Sequence, residues 1–273
     1  MTVINTNINS LNIQQSLNTN QRSLTQSMQQ LSTGSRINSA ADDAAGLSIS
    51  NKMSSQVRGL NQAIRNANDG ITMMQTADSA SQEITNMLQR MRELAVQSVN
   101  GTNTSNDRTS LSKEFQDLQK QIAAIATNTS WNGTKVLSGA GAIKYQVGAG
   151  SGQVVTTVFT SINVSGVGLY VSAGSEILSA TSARNAISKI DSALNAVDTF
   201  RSTLGAKINR LMYAAENASN VSLNQAASRS RILDADYAKV TSELARAQII
   251  QEAGTAMLSQ ANQMPASVLA LLR

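Results

Sequence analysis

The sequence predicts a mainly α protein: a long rod-like antiparallel helical bundle or coiled coil with a small β-hairpin region and paired terminal helices. Aromatic residues make up only 3% of a chain that is 41% hydrophobic, so a core built on large aromatic side chains is not expected. Proline occurs once, which leaves room for long uninterrupted helices. Apolar residues recur at helical spacing along most of the chain, and this pattern gives way to glycine, valine and threonine within residues 136–176.

The longest predicted helix covers residues 46–98. Its apolar residues follow each other at alternating steps of four and three, which is the spacing of a coiled-coil seam, with one slip at Ala77 and Ala80. The seam residues are Met53, Val57, Leu60, Ile64, Ala67, Ile71, Met74, Ile84, Met87, Met91 and Leu94. At about 1.5 Å per residue this helix alone is roughly 80 Å long, so the sequence predicts a rod.

The next segment contains a turn, a second helix and strands. Residues 101–110 carry Gly, Asn, Asp and Ser without periodicity and predict the turn. A shorter helix with an apolar face from Leu111 to Ile125 follows, and it would form an antiparallel hairpin with the first helix. The later runs KYQVG, QVVTTVF and GVGLYVS predict short strands joined by glycine turns. Helical steps return from Ile187 to Ala218.

Both ends of the chain predict helices whose apolar stripes carry almost no charge. Residues 1–35 contain Arg22 as their one charged side chain, and residues 249–273 contain only Glu252 and Arg273. Because an uncharged helix surface is poorly soluble, we predict that the two arms pair and that other copies of the chain cover the rest of the stripe. In a single chain we expect both arms to be mobile. The predicted self-assembly residues are Ile4, Ile8, Leu11, Leu24, Leu31, Ile250, Met257, Ala261, Met264, Val268 and Leu271.

Pro265 stands inside the predicted C-terminal helix. A proline within a helix removes a backbone hydrogen bond, here to the carbonyl of Ala261, and costs about 3 kcal/mol. The apolar steps from Ala261 to Leu271 keep their phase across the proline. The sequence therefore favours a helix that continues with a bend over one that ends near Gln263.

The composition argues against an enzyme and against a cofactor. The chain has no cysteine, which excludes disulfides and thiolate metal sites, and no histidine, which removes the usual general base and the commonest metal ligand. An H-E-x-x-H metalloprotease inserted in the chain is excluded for the same reason. The carboxylate pairs Asp42–Asp43 and Asp234–Asp236 stand at predicted helix starts, where a structural role is expected.

The charge and hydropathy patterns predict neither nucleic-acid binding nor membrane insertion. The net charge is +5, but the basic residues are scattered rather than clustered on a face. No apolar run approaches the roughly 18 residues of a membrane-spanning helix. The N-terminus lacks the basic and apolar regions of a secretory signal, so a secreted chain would need a route without a cleaved signal.

Five motifs resemble bacterial flagellin, the subunit of the flagellar filament. They stand in the family's order and cover both ends and most of the helical body. The motifs are LSTGSRINSAADDAAGLSIS (31–50), GLNQAIRNANDGI (59–71), LQRMRELAVQS (88–98), LGAKINRL (204–211) and QEAGTAMLSQANQMPASVLALLR (251–273). The middle of the chain is too short for the large outer domains that many flagellins carry, so the resemblance implies a minimal form.

The resemblance implies a function and a domain organisation. The implied function is that of a structural subunit that self-assembles through its terminal helices into the tubular flagellar filament for swimming motility. The implied partners are further copies in a homo-polymer, a flagellar export chaperone, the filament cap and the hook-junction proteins, with type III export to the extracellular flagellum. The implied segments are an N-terminal arm of the inner-tube domain (1–44), a first part of the helical body (45–135), the β-hairpin region (136–176), a second part of the body (177–228) and a C-terminal arm of the inner-tube domain (229–273).

The resemblance also implies two surfaces for host innate immune receptors. The first matches the surface recognised by the vertebrate toll-like receptor for flagellin and comprises Gln89, Arg90, Leu94, Gln97 and Glu114. The second matches the segment read by cytosolic innate receptors and comprises Leu269, Leu271 and Leu272. Ordinary packing within the filament is the alternative role of both sets.

Two other functions stay open on the sequence alone. A hook–filament junction protein shares the terminal arms, but it would be longer in the middle and would match ELAVQS and LGAKINRL less well. A secreted coiled-coil adhesin unrelated to motility would not polymerise into long tubes when seeded with filament fragments.

Overall fold

The structure, a computed structural model, describes residues 6–161 and 177–271, and from residue 264 onward it describes the backbone alone. Helices dominate, and the strands are short, which confirms the predicted fold class. The helices are α1 (Ile8–Thr33), α2 (Ala44–Val99), α3 (Ser105–Asn128), α4 (Ala180–Leu233) and α5 (Tyr237–Leu271). The strands are β1 (Ser130–Trp131), β2 (Thr134–Lys135), β3 (Gly141–Gln146) and β4 (Val154–Phe159).

The chain divides into two compact units. One comprises residues 1–55 together with 224–273, and the other comprises residues 56–223. The five-segment division given by the sequence motifs stays a prediction.

The core of the second unit follows a seven-residue repeat. On α4 every seventh residue is buried, which is the repeat of a coiled-coil seam. These residues are Ala183, Ile190, Val197, Leu204 and Leu211. Buried apolar residues of α2 meet them, and they include Ala67, Met74, Ile84, Leu88, Met91 and Leu94. The long seam helix predicted for residues 46–98 is therefore confirmed as α2.

Polar pairs across the second unit show that its helices run antiparallel. Between α2 and α4, Arg92 Nε donates to Asp191 Oδ1 at 2.8 Å, and Arg201 Nε donates to Asp78 Oδ1 at 2.9 Å. From the first pair to the second, the residue number falls on α2 and rises on α4, so the two helices run antiparallel. Helix α3 returns along α2 as the predicted hairpin, and its Phe115 is fully buried.

Helix α3 begins earlier than the sequence analysis predicted. The turn expected over residues 101–110 ends at Thr104, because Thr104 and Asp107 form a reciprocal capping box. The Thr104 backbone N–H donates to Asp107 Oδ2 at 2.9 Å, and the Asp107 N–H donates to Thr104 Oγ1 at 3.3 Å. Hydrogen bonds from Thr104, first from its side chain and then from its backbone, lower the pKa of the Asp107 carboxyl.

Two of the three predicted strands are confirmed. Strands β3 and β4 pair antiparallel from Gly141 opposite Phe159 to Gln146 opposite Val154. The third run, GVGLYVS, lies outside the described residues. A smaller hairpin, β1 with β2, was not predicted. Its turn is Asn132–Gly133, with φ of 46° and 78°, and an Asn-Gly pair is the usual sequence of a two-residue hairpin turn.

Tyr145 connects the β3–β4 hairpin to α2. Its ring is 9% exposed, and its hydroxyl donates to Met73 Sδ at 3.1 Å. Burial raises the pKa of Tyr145 to about 12, above its ordinary value near 10. The folded chain therefore favours the neutral phenol, so this side chain's contribution to stability is complete below about pH 10 and is lost as the pH rises toward 12.

We expect Tyr145→Phe to reduce the loss of stability at alkaline pH. Phenylalanine has no phenol to ionise, so its burial carries no penalty above pH 10, whereas near pH 7 only the contact with the Met73 sulfur is lost. Urea unfolding of both chains at pH 7 and pH 11.5, followed by circular dichroism, measures the difference. An equal loss of stability in the two chains would show that ionisation of Tyr145 does not limit the alkaline stability.

Candidate assembly surface

Helices α1 and α5 pair antiparallel within one chain, which confirms the predicted pairing of the terminal helices. Near one end of the pair, Asn7 Nδ2 donates to the Ala261 carbonyl at 2.7 Å. Further along, Asn20 Nδ2 donates to the Ala247 carbonyl, also at 2.7 Å. Rising numbers on α1 meet falling numbers on α5, so the two helices run in opposite directions.

The α1–α5 seam consists largely of small and polar residues. The less exposed residues of α5 recur at alternating steps of four and three, and they are Val240, Leu244, Ala247, Gln251, Gly254, Leu258 and Ala261. A Cβ atom added to Gly254 would lie 2.5 Å from Leu17 Cδ2. Glycine at this position therefore admits the Leu17 side chain, and the close approach of the helices brings the asparagine amides of α1 to the backbone of α5.

Ten of the eleven predicted self-assembly residues fall into three groups. Ile8, Leu11, Ile250 and Met257 are exposed, with Met257 61% exposed. Leu24 and Leu31 are half-buried in the seam. Ile4 lies outside the described residues, as do the side chains of Met264, Val268 and Leu271.

Ala261 requires a correction. It was predicted to lie on the stripe that other copies cover, but it is 6% exposed in the single chain, and its carbonyl accepts a hydrogen bond from Asn7 Nδ2. Its small side chain faces α1 because the seam repeats every seven residues through Ala247, Gly254 and Ala261. Ala261 therefore belongs to the seam within the chain.

An apolar groove runs beside the seam. It has a volume of about 360 Å³, and the residues that line it include Ile13, Leu17, Ile250, Gly254 and Met257. Ile250 and Met257 are seven residues apart and so lie on one face of α5. Met28 and Ile249 add to the exposed apolar surface of these two helices.

The connections from α1 to α2 and from α4 to α5 are bonded to each other. Ser35 and Asp234 form an antiparallel bridge. Arg36 Nη2 donates to the Ile232 carbonyl at 2.7 Å, and the Arg36 backbone N–H donates to the Leu233 carbonyl at 2.7 Å. Arg36 therefore satisfies two carbonyls at the end of α4.

The predicted structural role of the carboxylate pairs is confirmed at two helix starts. Asp43 Oδ1 accepts the Gly46 N–H at 2.8 Å at the start of α2. Asp236 Oδ1 accepts the Ala238 N–H at 3.0 Å at the start of α5. Both carboxylates therefore satisfy backbone donors of the first helical turn.

The residues matched to the toll-like receptor surface lie on α2 and α3. Arg90 Nε donates to Glu114 Oε1 at 2.9 Å, and Arg90 Nη1 donates to Glu93 Oε2 at 3.0 Å. These carboxylates, Glu93 first, raise the pKa of Arg90. Gln89 and Gln97 are exposed on the same helix. Glu93 was missed by the sequence analysis, although its spacing three residues after Arg90 is that of a helical ion pair.

Leu94 requires a correction within this set. Its exposure is 1%, and it belongs to the core of the second unit, so it does not lie on a surface open to a receptor. The reason is its place in the coiled-coil steps, three residues after Met91, which is also buried. The side chains of Leu269, Leu271 and Leu272 lie outside the described part of the chain.

Within 6–161 and 177–271, no group of three or more histidine, cysteine, aspartate or glutamate side chains is arranged to hold a metal ion. In this part of the chain no helix is sufficiently long and apolar to cross a membrane.

Comparison with known proteins identifies the family. The model of the bacterial flagellin N-terminal helical region matches residues 4–142, and that of the bacterial flagellin C-terminal helical region matches residues 187–272. A flagellin of Halalkalibacterium halodurans is 44% identical over 272 residues, which are 99% of this chain and 100% of that relative. This chain belongs to the bacterial flagellin family. It is a structural subunit of the flagellar filament, and the matches favour neither a hook–filament junction protein nor an adhesin.

Other flagellins show the same relationship. Flagellin A of Vibrio cholerae is 35% identical over 375 aligned positions that include 99% of each chain. The alignment is longer than the 273 residues of this flagellin, so the Vibrio protein carries segments that are missing here. The crystal structure of Bacillus cereus flagellin matches with a TM-score of 0.50 and 31% identity, covering 56% of this chain and 88% of that chain.

Proposed function

We propose that the exposed apolar residues of α1 and α5 are the surface through which this flagellin assembles with its own copies. The observation that carries the proposal is the position of Ile8, Leu11, Ile250 and Met257, which stay exposed after the two helices have paired. Burying each such side chain contributes about 1.5–3 kcal/mol, and the gain recurs at every subunit of a filament. The groove beside Ile250 and Met257 offers a place for apolar side chains of a neighbouring copy.

The proposal extends to the partners and the location implied by the family. A filament subunit functions outside the cell, so we propose that this chain is exported through the flagellar type III route with an export chaperone. We further propose that it adds to the filament beneath a cap and above the hook-junction proteins. Membership of the flagellin family supports this part of the proposal.

Limited proteolysis of unassembled and assembled protein tests the role of the arms. We expect the protease to cleave about 40 residues from each end much faster in the monomer than in the filament. The reason is that the single α1–α5 seam leaves most of each helix exposed in the monomer, whereas neighbouring copies would cover it in the filament. Equal protection of the ends in both states would contradict this assignment, and cleavage within residues 56–223 serves as the internal reference.

A second proposed function is recognition by the vertebrate toll-like receptor for flagellin. The supporting observation is the exposed cluster of Arg90 with Glu93 and Glu114, flanked by Gln89 and Gln97. Arginine is enriched among the residues that contribute most to binding at protein interfaces. For the terminal leucines, recognition by cytosolic receptors stays a prediction.

We expect Arg90→Ala to weaken binding to the purified receptor ectodomain by about tenfold or more. Lys120→Ala is the matched control, because Lys120 is an exposed cation of α3 that pairs with Asp117. Binding measured by surface plasmon resonance on unassembled chains separates this surface from any effect on polymerisation. Unchanged binding of the Arg90 variant, or an equal loss with the Lys120 variant, would contradict the assignment.

A further inference from the structure

Pro265 leaves one carbonyl of α5 without its helical donor. In an α-helix each carbonyl accepts the N–H of the residue four positions later, and proline has no N–H. Helix α5 continues through Pro265 to Leu271, as the phase of its apolar residues predicted. The oxygen of Ala261 therefore lies inside a helix without its usual partner. Ala261 is 6% exposed, so a donor from the protein is needed in place of water.

The side chain of Asn7 supplies this donor. Its Nδ2 lies 2.7 Å from the Ala261 oxygen. Its Oδ1 accepts the Ser10 N–H at 3.1 Å and caps the start of α1. One side chain thus begins α1 and completes the hydrogen bonding of α5, across 254 positions of sequence.

Packing alone specifies the register of this seam weakly. On α5 the small residues Ala247, Gly254 and Ala261 recur every seven positions, and on α1 the leucines Leu17, Leu24 and Leu31 do the same. A slip of seven residues that brings Leu17 to Ala261, Leu24 to Gly254 and Leu31 to Ala247 would again place leucines against small residues. In coiled coils, a polar group at one position of such a seam fixes the register.

The hydrogen bond of Asn7 distinguishes one register from another better than the similar hydrogen bond of Asn20 does. Asn20 Nδ2 also lies 2.7 Å from a carbonyl of α5, that of Ala247. The residue four positions after Ala247 is Gln251, which keeps its N–H and can donate to that carbonyl. After a slip, the Asn20 amide would meet a carbonyl of the same kind. The Asn7 amide, by contrast, would lose the Ala261 carbonyl, which lacks a helical donor because of Pro265, the only proline of the chain.

We propose that Asn7 and Pro265 act together to fix the register in which α1 pairs with α5. Asn7 is then a positioning residue: it satisfies the proline-freed carbonyl only when the two helices are correctly aligned. This inference rests on the proposed function in one respect, because the register decides which exposed apolar residues of α1 lie beside Ile250 and Met257.

Cysteine pairs report the register directly, since the chain has no cysteine of its own. Ser10 Oγ lies 2.9 Å from Asn262 Oδ1, so Ser10→Cys with Asn262→Cys cross-links the observed register. Gln251 Nε2 lies 3.0 Å from Gln21 Oε1, so in the slipped register that position of α5 would face Met28, and Met28→Cys with Gln251→Cys cross-links the slipped register. The ratio of the two yields under mild oxidation is measured on the full chain, both as monomer and in seeded filaments.

The test is a cycle of variants. Asn7→Ser keeps a good helix-capping side chain but removes the amide donor, and we expect the observed-to-slipped ratio to fall about tenfold, the effect of leaving one buried acceptor unpaired. Pro265→Ala restores a backbone N–H for the Ala261 carbonyl, so it should lower the ratio as well. In the Pro265→Ala background, Asn7→Ser should change the ratio by less than about twofold.

Asn20→Ser is the matched control, and its effect should be the same with Pro265 or with Pro265→Ala. The proposal is overturned if Asn7→Ser leaves the ratio unchanged, or if its effect is equally large in both backgrounds. The proposed assembly surface is tested independently, because seeded filament growth of a surface variant does not depend on the cross-link ratio.

Discussion

Met257→Asp is expected to abolish seeded filament growth while leaving the helical content of the chain unchanged. Met257 is 61% exposed in the single chain, so an aspartate there is solvated and harmless before assembly. In the filament the same position would be covered by other copies, and an unpaired buried carboxylate costs several kcal/mol. The penalty recurs at every subunit. Elongation of filament seeds, followed by light scattering and electron microscopy, measures the effect, and circular dichroism verifies the helices.

Ser259→Asp is the matched control for this variant. Ser259 is exposed and follows Met257 by two residues, which places it about 200° further around α5. The same side of the helix already carries Glu252, seven residues earlier, so this face accommodates a native carboxylate. Normal growth is expected for Ser259→Asp. Normal growth of Met257→Asp, or an equal block by both variants, would show that the face of Ile250 and Met257 does not mediate assembly.

Leu94→Ala is expected to lower the free energy of unfolding by about 2–5 kcal/mol. The side chain is 1% exposed in the core of the second unit, and its removal leaves a cavity between the helices. Val96, two residues along the same helix, is 49% exposed, so Val96→Ala should cost no more than about 0.5 kcal/mol.

Urea unfolding at pH 7, followed by circular dichroism at the helical band, compares the two variants. Because Leu94 was matched by resemblance to a receptor surface, the comparison separates a core residue from a surface residue. If Leu94→Ala lowers the free energy of unfolding no more than Val96→Ala does, Leu94 is a surface residue and its assignment to the core is wrong. A large loss means that any effect of Leu94 on receptor binding acts through the fold of α2.

Large apolar residues at regular spacing made the body of the protein predictable from sequence. The steps along α2 and α4 are dominated by Met, Ile and Leu, and their burial follows the predicted seam. The α1–α5 seam is built instead from small and polar residues. Its positions on α5 include Ala247, Gln251 and Gly254, which carry little hydrophobic signal, so the predicted stripe was drawn through the larger residues Ile250 and Met257 on the neighbouring face. Those residues remain exposed.

Two local features were present in the sequence and were overlooked. Thr104 with Asp107 three positions later is a helix-start signal, and Asn132–Gly133 is a hairpin-turn signal. The first lies in the stretch that was assigned to a turn, and the second lies in a stretch to which no element was assigned. The hydrogen bond between Asn7 and Ala261, in contrast, has no local signal in the sequence. It joins residues 254 positions apart, and only the paired helices show that a side-chain amide meets the carbonyl freed by Pro265.

The most direct test of the assembly surface is an electron cryo-microscopy structure of filaments grown from this chain. The measured quantity is the exposed fraction of Ile250 and Met257, which are 46% and 61% exposed in the single chain. We predict that both fall below about a tenth, with apolar side chains of α1 or α5 from neighbouring copies in contact with them. Side chains at these two positions that still face solvent in the filament would contradict the assignment of this surface to assembly.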